Sequence, residues 1–219
     1  MKIGTDGVLL GAWTEIPESA SAILDIGAGT GIIALMLAQR SYAEQIDALE
    51  LDDDAFEQAT ENFEASLWAD RLFCYHAHLY EFATEMEDKY DLIICNPPFF
   101  AGEAQEASTA RNLARFEDAM PFDLLVGAAA HLLKDDGLFS VVLPKDREEE
   151  FVSLSAKAKL FPKKITTVKG NASAEAKRVL ITLSKTQVPP MHDELVMEIS
   201  RHNYTEAYTE LVKDFYLKM

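Results

Sequence analysis

A glycine-rich segment near the start of the chain has the composition of a ligand-binding turn. It reads Asp25-Ile26-Gly27-Ala28-Gly29-Thr30-Gly31 and lies between an apolar run and a run with helical spacing. Glycines let the backbone turn tightly and approach a ligand, because no Cβ stands in the way. The spacing is Gly-x-Gly-x-Gly, which differs from the dinucleotide motif Gly-x-Gly-x-x-Gly and from a phosphate-binding P-loop. Glu50 follows 19 residues after Gly31, where a carboxylate can accept hydrogen bonds from both ribose hydroxyls of a nucleoside.

A second candidate segment, Asn96-Pro97-Pro98-Phe99, lies 65 residues after Gly31 and directly after an apolar run. Two consecutive prolines restrict the backbone, so neighbouring groups are held in place before a substrate binds. The Asn96 side-chain oxygen and the Pro97 carbonyl can accept both hydrogens of a planar amino group and make its nitrogen more nucleophilic. The ring of Phe99 can stack on a nucleobase that has been turned out of its helix. The segment indicates chemistry at a planar amino nitrogen.

Apolar runs alternate with helical patterns along most of the chain. The patterns predict strands at 22–26, 45–50, 72–76, 90–95 and 137–143, and helices at 32–40, 53–66, 121–133 and 204–217. Two further strand-like runs, 164–169 and 178–184, have only a small-residue loop between them, which predicts an antiparallel hairpin at one edge of the sheet. Strands that alternate with helices indicate a mainly parallel α/β sheet. We expect one domain over residues 1–219, with both candidate segments at the carboxyl ends of its strands.

The composition excludes several classes of protein. The chain has 219 residues, of which 48% are hydrophobic and 26% charged, and it contains two cysteines. These values are typical of a globular protein and too poor in cysteine for a disulfide scaffold, which favours a reducing cytoplasm. No apolar run approaches the length of a membrane span, and the opening residues do not read as a secretory signal. We therefore expect a cytoplasmic protein without a membrane partner.

Charge is distributed unevenly along the chain, whose net charge is −17. Residues 1–154 carry 9 Lys and Arg against 30 Asp and Glu, whereas residues 155–186 carry 8 against a single acid. An acidic protein repels polyanions in general, which argues against non-specific nucleic-acid binding. The basic segment is either a local binding site for phosphates or a solvated face whose positive charge offsets the negative charge of the rest of the chain.

The two candidate segments together resemble class I S-adenosylmethionine-dependent methyltransferases, whose fold is a Rossmann-like, seven-stranded, mostly parallel sheet. By this resemblance the methionine side of the cofactor is lined by Asp25, Gly27, Gly29 and Gly31. The resemblance also implies that Glu50 holds the cofactor ribose. Members of the family often carry an acid beside the cofactor adenine, after the third strand. Here that stretch contains His78, which can replace the acid by donating or accepting a hydrogen bond through its ring.

The whole chain resembles, more narrowly, the bacterial tRNA adenine-N6 methyltransferases that modify adenine 37 of a valine tRNA. The quoted likeness runs through residues 1–13, 96–99, 111, 115, 142–144, 178–180 and 204–219. It implies that Thr5 and Asp6 contact the cofactor, and Thr5 is equally suited to cap a helix. Members of this family have a further segment before the equivalent of Met1, so we expect Met1 to be an internal start.

Basic residues near these motifs are candidates for binding RNA phosphates. Arg111 and Arg115 are one helical turn apart and can grip a phosphate, or equally form a solvated helix face. The predicted hairpin carries four more candidates, Lys163, Lys164, Lys177 and Arg178. Cys74, His76 and His78 alternate along one strand, but no fourth ligand follows at a suitable spacing, so we expect no metal.

These features predict an enzyme that transfers a methyl group from S-adenosylmethionine to N6 of an adenine in tRNA, without a metal or a covalent nucleophile. One alternative is a protein glutamine N5-methyltransferase, or another RNA or DNA adenine-N6 methyltransferase, with the same cofactor site. Another is a binding module that keeps the pocket without catalysis. The basic segment favours an RNA substrate, and the intact segment 96–99 favours an enzyme. A monomer is the expected oligomeric state.

Overall fold

Strands and helices alternate along the first two thirds of the chain, and strands dominate the last third. The computed structural model describes residues 4–98 and 120–217. The strands are β1 (Ala22–Ile26), β2 (Gln45–Glu50), β3 (Leu72–His76), β4 (Tyr90–Cys95), β5 (Leu133–Pro144), β6 (Phe161–Asn171), β7 (Ala176–Ser184), β8 (Met191–Ser200) and β9 (Asn203–Tyr204). The helices are α1 (Thr5–Trp13), α2 (Ile32–Arg40), α3 (Asp53–Glu64), α4 (Leu79–Glu85), α5 (Phe122–Leu132), α6 (Glu148–Lys157) and α7 (Glu206–Val212), with 3-10 turns at Lys145–Arg147 and Lys213–Phe215.

All of these strands belong to one nine-stranded sheet with the order β3-β2-β1-β4-β5-β7-β6-β8-β9. The first five strands of that order run parallel to one another. Strand β7 is antiparallel to both β5 and β6, so β6 and β7 form the predicted hairpin. The carboxyl ends of β1, β2, β3, β4 and β5 therefore meet at one edge of the sheet, and β7 begins at that same edge, where Arg178 pairs with Pro144.

The sheet is covered by helices on both faces because its central strands are apolar on both sides. In β1, Ile23 packs in the core with α1, α2 and α7, whereas Leu24 packs in the core with α4, α5 and α6. Strand β4 alternates in the same way. No helix among residues 4–98 and 120–217 is long and apolar enough to cross a membrane.

The α/β class and the mainly parallel sheet are confirmed, but the described residues form nine strands of the sheet where seven were predicted. Strand β8 lies beyond the hairpin and runs parallel to β6, and β9 completes that edge. Sequence pattern missed β8 because only Leu195 among its residues is buried. The predicted helix 204–217 begins later, at Glu206, where the Thr205 hydroxyl accepts a hydrogen bond from the Tyr208 amide at 3.1 Å.

Candidate active site

A pocket of about 670 Å³ opens at the carboxyl ends of the parallel strands. Its wall combines the glycine-rich turn after β1, the end of β2, the turn after β3, residues 96–98 after β4, and the first turn of α1. The volume is in the range of small-molecule sites. Ligands bind at this edge of open α/β sheets because the strand-to-helix turns converge there. The two candidate segments of the sequence thus face one cavity.

The glycine-rich turn is shaped by backbone conformations that favour glycine. Gly27 and Gly29 have φ angles of +72° and +58° and line the pocket. The amides of Gly27 and Ala28 both donate to the Leu49 carbonyl, at 2.8 and 3.0 Å, which fixes the turn against β2. Left-handed conformations are costly for residues with a Cβ, so glycines at these positions keep the wall open.

Gly31 has a different role from the other two glycines. Its φ is +75°, and a Cβ there would lie 2.4 Å from Cε1 of Phe63. The residue does not belong to the pocket wall described by the structure. The absence of a Cβ at Gly31 lets α3 pack against the start of α2.

Asp25 is fully buried and also lies outside the described pocket wall. Its Oδ2 accepts a hydrogen bond from the Ala34 amide at 3.1 Å, so the carboxyl group holds the first turn of α2. The pKa of Asp25 is raised to about 7, mainly by burial, with the Ala34 hydrogen bond lowering it and the nearby Glu50 raising it. Oδ1 has no hydrogen-bond partner among the described residues. The structure therefore places Asp25 behind the glycine-rich turn, as a support for it.

Glu50 ends β2 and lines the pocket. Its Oε2 accepts from the Gly29 amide at 2.7 Å, and its Oε1 accepts from the amides of Leu51 and Asp52 at 2.8 and 2.9 Å. A carboxylate has about four acceptor sites. Three are in use, so one hydroxyl can bind without loss of a backbone bond, and a second must share or displace one.

His76 was considered only as a metal ligand, yet it stabilises the segment that follows Glu50. Its Nε2 donates to the Leu51 carbonyl at 2.9 Å and lies 3.3 Å from Asp53 Oδ1, and its ring stacks on Phe56 with centroids 5.0 Å apart. No cluster of three or more His, Cys, Asp or Glu that could hold a metal occurs in the described part of the chain.

His78 follows β3 and lies in the pocket wall, half-buried. It is the N-cap residue of α4, and its Nδ1 accepts a hydrogen bond from the Tyr80 amide at 3.2 Å. The bond fixes the position of the imidazole beside the end of β2, because Glu50 pairs with His76 in the β2–β3 register.

Asn96, Pro97 and Pro98 line the pocket, and Phe99 lies outside the described residues. They come directly after Cys95, which is fully buried in β4. A Cβ on Gly7 would lie 3.8 Å from Asn96 Nδ2, so the backbone of α1 passes close to the amide. The Asn96 side chain is therefore held between the end of β4 and the first turns of α1.

The first turn of α1 contributes Thr5 and Asp6 to the pocket wall. Gly4 is the N-cap residue of α1, so Thr5 is not the helix cap that the sequence allowed. Asp6 Oδ2 lies 2.8 Å from the Nε of Arg178, which belongs to the same wall. The other end of α1 is also attached to the hairpin, since Trp13 Nε1 donates to the Thr166 hydroxyl at 2.9 Å.

The basic segment is largely paired with acids from other parts of the chain. Ion pairs within 4 Å join Lys163–Glu15, Lys164–Asp193, Lys169–Glu194, Arg178–Asp6 and Lys185–Asp135. Lys164 also lies over the Trp13 ring at 5.0 Å. Arg111 and Arg115 lie outside the described residues.

The four basic candidates of the hairpin do not lie together on one part of it. Lys164 pairs with Thr182 in the β6–β7 register, whereas Arg178 pairs with Val168. That is four residues along the strand, or about 13 Å. Lys177, which is exposed, and Arg178 lie at the pocket edge of the sheet, and Lys163 and Lys164 lie toward the opposite edge.

Comparison with known proteins identifies the family to which the chain belongs. The family model of the methyltransferase small domain matches residues 7–169. A tRNA1(Val) (adenine(37)-N6)-methyltransferase of Flavobacterium psychrophilum is 58% identical over the whole chain, which covers 94% of that relative. A protein of the same name from Parabacteroides distasonis is 44% identical over the whole chain, which covers 92% of it.

Solved structures share the fold. A structure described as a predicted O-methyltransferase from Agrobacterium tumefaciens superposes with a TM-score of 0.74 at 19% identity, covering 95% of this chain and 96% of that one. A ribosomal protein L11 methylase from Lactobacillus delbrueckii superposes with a TM-score of 0.57 at 17% identity, covering 83% and 77%. The chain is therefore a member of the methyltransferase small domain family and a relative of the bacterial proteins named tRNA1(Val) (adenine(37)-N6)-methyltransferase.

Proposed function

We propose that this methyltransferase transfers a methyl group from S-adenosylmethionine to N6 of an adenine in tRNA, with adenine 37 of a valine tRNA as its target. The observation that carries the proposal is the shared cavity. Gly29 and Glu50 line it on one side, and Asn96, Pro97 and Pro98 line it on the other. The names of the relatives support the choice of substrate.

The residues present fit the proposed cofactor. Gly27 and Gly29 leave room for a ligand against the backbone, and Glu50 presents a carboxylate that three backbone amides hold in place. Thr5, Asp6 and His78 complete that part of the wall. One ribose hydroxyl can donate to the remaining acceptor site of Glu50, and the second has to share or displace a site that a backbone amide uses. When bound there, S-adenosylmethionine supplies a methyl group already activated by a positive sulfonium.

Asn96 and Pro97 would hold the amino group that receives the methyl. The Asn96 side-chain oxygen and the Pro97 carbonyl are the acceptors for its two hydrogens, which turns the nitrogen lone pair out of the plane of the base. Two consecutive prolines fix the backbone, so little conformational freedom is lost when the base enters. Positioning of this kind accounts for most of the rate that the protein has to supply.

The rival substrate is the side-chain amide of a protein glutamine, which the same two acceptors could hold. The positive charge of segment 155–186 favours tRNA over a protein substrate less strongly than the sequence suggested, because five of its eight basic residues are paired with acids. Substrate class therefore has to be tested directly.

The test incubates the protein with methyl-labelled S-adenosylmethionine and either bulk tRNA or a glutamine-containing release factor. Mass spectrometry of tRNA nucleosides should show labelled N6-methyladenosine, with no label in the protein substrate. Asn96→Ala should abolish the labelled nucleoside while leaving cofactor affinity close to that of the parent. Label in the glutamine instead would establish the rival, and label in neither would contradict the proposed activity.

We further propose that the chain works as one catalytic domain, supported by the single sheet that contains all of its described strands.

A further inference from the structure

A second cavity, of about 340 Å³, opens at the tip of the β6–β7 hairpin. It is lined by residues 171–173 of the hairpin loop and by residues 198–201, where β8 ends. It shares no lining residue with the active-site pocket. The proposed methyl transfer uses none of these side chains, so the cavity needs a separate explanation.

The second cavity lies at the same edge of the sheet as the active-site pocket. Strand β6 and its parallel neighbour β8 both end there, at Asn171 and Ser200, because β7 begins there and runs antiparallel to β6. Four strand spacings separate β4, which precedes Asn96, from β8. At about 4.8 Å for each spacing, the two cavities are at least about 19 Å apart. Phosphates follow one another at roughly 3.4 Å along one strand of a nucleic-acid helix, so this distance spans roughly five or six nucleotides.

The Asn171 side chain presents hydrogen-bond donors to the second cavity. Its Oδ1 accepts from the Ser173 amide at 3.1 Å and from the Ser173 hydroxyl at 2.9 Å. Since a backbone amide can only donate, the atom that faces Ser173 must be the oxygen. Nδ2 donates to no acceptor in the described parts of the chain, so its two N–H groups remain for a ligand.

Arg201 adds the positive charge of the cavity wall. Its side chain is exposed, and no acid lies within 4 Å of it among residues 4–98 and 120–217. The wall also contains one acid, Glu198, whose Oε1 accepts from the His202 amide at 3.4 Å. Against this one carboxylate stand the five N–H donors of the Arg201 guanidinium and the two of Asn171. A guanidinium bonds both free oxygens of a phosphate at once, so the donor set fits a phosphate group.

We propose that the second cavity binds a phosphate of the tRNA backbone through Arg201 and Asn171 while the target adenine is held at Asn96. The proposal rests on the proposed function, because it requires tRNA as the substrate. Between the two cavities lie Lys177, which is exposed, and Arg178, both on β7. Basic side chains thus follow the edge of the sheet from one cavity to the other. Arg201 and Asn171 are binding residues far from the reacting atoms, so they should affect the affinity for tRNA and leave kcat unchanged.

Arg201→Gln tests the charge of the site. It should weaken tRNA binding roughly tenfold, as loss of hydrogen bonds to a charged group does, and should raise KM with kcat close to that of the parent. The slope of log affinity against log salt should fall by about 0.7–0.9, the change expected for one phosphate contact. The matched control is Lys157→Gln, an exposed residue at the end of α6, which lies toward the opposite edge of the sheet, where β6 begins. This variant should bind tRNA like the parent.

Asn171→Asp tests the donors. The aspartate keeps the oxygen that accepts from Ser173, but it replaces both N–H donors with a second oxygen and a negative charge. tRNA binding should weaken roughly tenfold or more. Gln187→Glu is the matched control, because it adds the same charge at an exposed position beyond the end of β7, at the opposite edge of the sheet. It should change tRNA affinity much less.

Fluorescence anisotropy with labelled tRNA measures these affinities, and methylation kinetics give KM and kcat. Each variant should bind S-adenosylhomocysteine, the demethylated cofactor, as the parent does. If the parent methylates tRNA but Arg201→Gln binds it like Lys157→Gln, or Asn171→Asp binds it as well as Gln187→Glu, the phosphate site is wrong and the proposed function stands. A fall in kcat with unchanged KM would also contradict the binding role. If the parent methylates no tRNA, both the site and the proposed function fail.

Discussion

Asp6 and Arg178 are 172 residues apart in the sequence, yet Asp6 Oδ2 lies 2.8 Å from the Nε of Arg178. The pair joins the first turn of α1 to the start of β7 and forms part of the pocket wall. In the order of the sheet, β7 lies two strands beyond β4, on the side away from β2 and Glu50. Arg178 therefore carries the fixed positive charge of the described pocket wall, on the side of the wall away from Glu50.

Arg178→Gln should weaken tRNA binding and make it less sensitive to salt. If Arg178 contacts one phosphate, its loss should reduce the slope of log affinity against log salt by about 0.7–0.9. Titrations of tRNA at four or five salt concentrations measure this slope, and S-adenosylhomocysteine affinity checks that the cofactor side is unchanged.

The matched control is Lys163→Gln with Lys164→Gln, because both lysines are ion-paired as Arg178 is but lie at the other end of the hairpin, away from the pocket. A smaller change in slope than that of Arg178→Gln is expected. An equal or larger change would instead make the predicted hairpin lysines the main RNA contact.

Glu50→Gln should weaken cofactor binding by about 1.5–3 kcal/mol, the usual range for hydrogen bonds to a charged group. The amide of a glutamine offers one acceptor oxygen and turns an NH₂ group toward backbone amides that now donate to the carboxylate. Calorimetry with S-adenosylhomocysteine measures the loss. Glu57→Gln removes an equal charge from the exposed face of α3 and should bind like the parent; similar losses in both variants would reduce the role of Glu50 to general electrostatics.

Gly31→Ala should destabilise the fold by about 2–4 kcal/mol, because it adds a Cβ in a left-handed conformation and forces that atom against Phe63. Denaturant unfolding measures the change. Gly127→Ala is the matched control, since a Cβ at this exposed position in α5 meets no atom of the described residues within 4 Å. That variant should be up to about 1 kcal/mol more stable than the parent, and a Gly31→Ala protein of parental stability would show that Phe63 yields easily.

Asp25 should make the free energy of unfolding depend on pH. Burial raises its pKa in the folded chain to about 7, from an ordinary value of 3.8. Between these two values the folded state binds more protons than the unfolded state, so stability decreases as pH rises from about 4 to about 7, by at most about 1.4 kcal/mol per pH unit.

Asp25→Asn abolishes this contribution, so its stability relative to the parent should increase with pH across the same interval. Denaturant unfolding at pH 4.5, 5.5 and 6.5 tests the relationship, with the exposed Asp70→Asn as the control. Parallel stability curves for the parent and Asp25→Asn would mean that Asp25 is ionised in the folded protein throughout.

Sequence pattern predicted the part of the fold in which local residues decide the structure. The boundaries of β1 to β4 follow from short apolar runs, and the observed strands coincide with the predicted ones. Strand β8 escaped prediction because pairing with β6, together with ion pairs such as Lys169–Glu194 at 2.8 Å, holds a largely exposed segment in the sheet. Such pairing depends on neighbours that are distant in sequence.

In the candidate site too, some features follow from local sequence and others depend on residues that are distant in sequence. Glu50 ends β2, and Asn96 and Pro97 directly follow β4. Because the carboxyl ends of parallel strands meet at one edge of the sheet, all three residues line the pocket at that edge. The direction of the Asp25 carboxyl group could not be predicted, because a motif specifies residue types and this direction depends on the Ala34 amide of the next helix. The acids that pair with the hairpin lysines could not be foreseen either, because Glu15 and Asp193 approach them only in the folded chain.

The attachment of α1 at both ends has a consequence for the order in which the protein is built. Its partners Thr166 and Arg178 follow it by more than 150 residues. At ordinary rates of translation this interval takes roughly 10–30 s. Until then the ribosome carries a chain whose buried residues Leu9 and Leu10 have no hairpin to pack near. The part of the pocket wall that Asp6 and Arg178 share is thus among the last parts of the pocket to form. A nascent chain that already contains the glycine-rich turn and residues 96–98 still lacks the contact between Asp6 and Arg178.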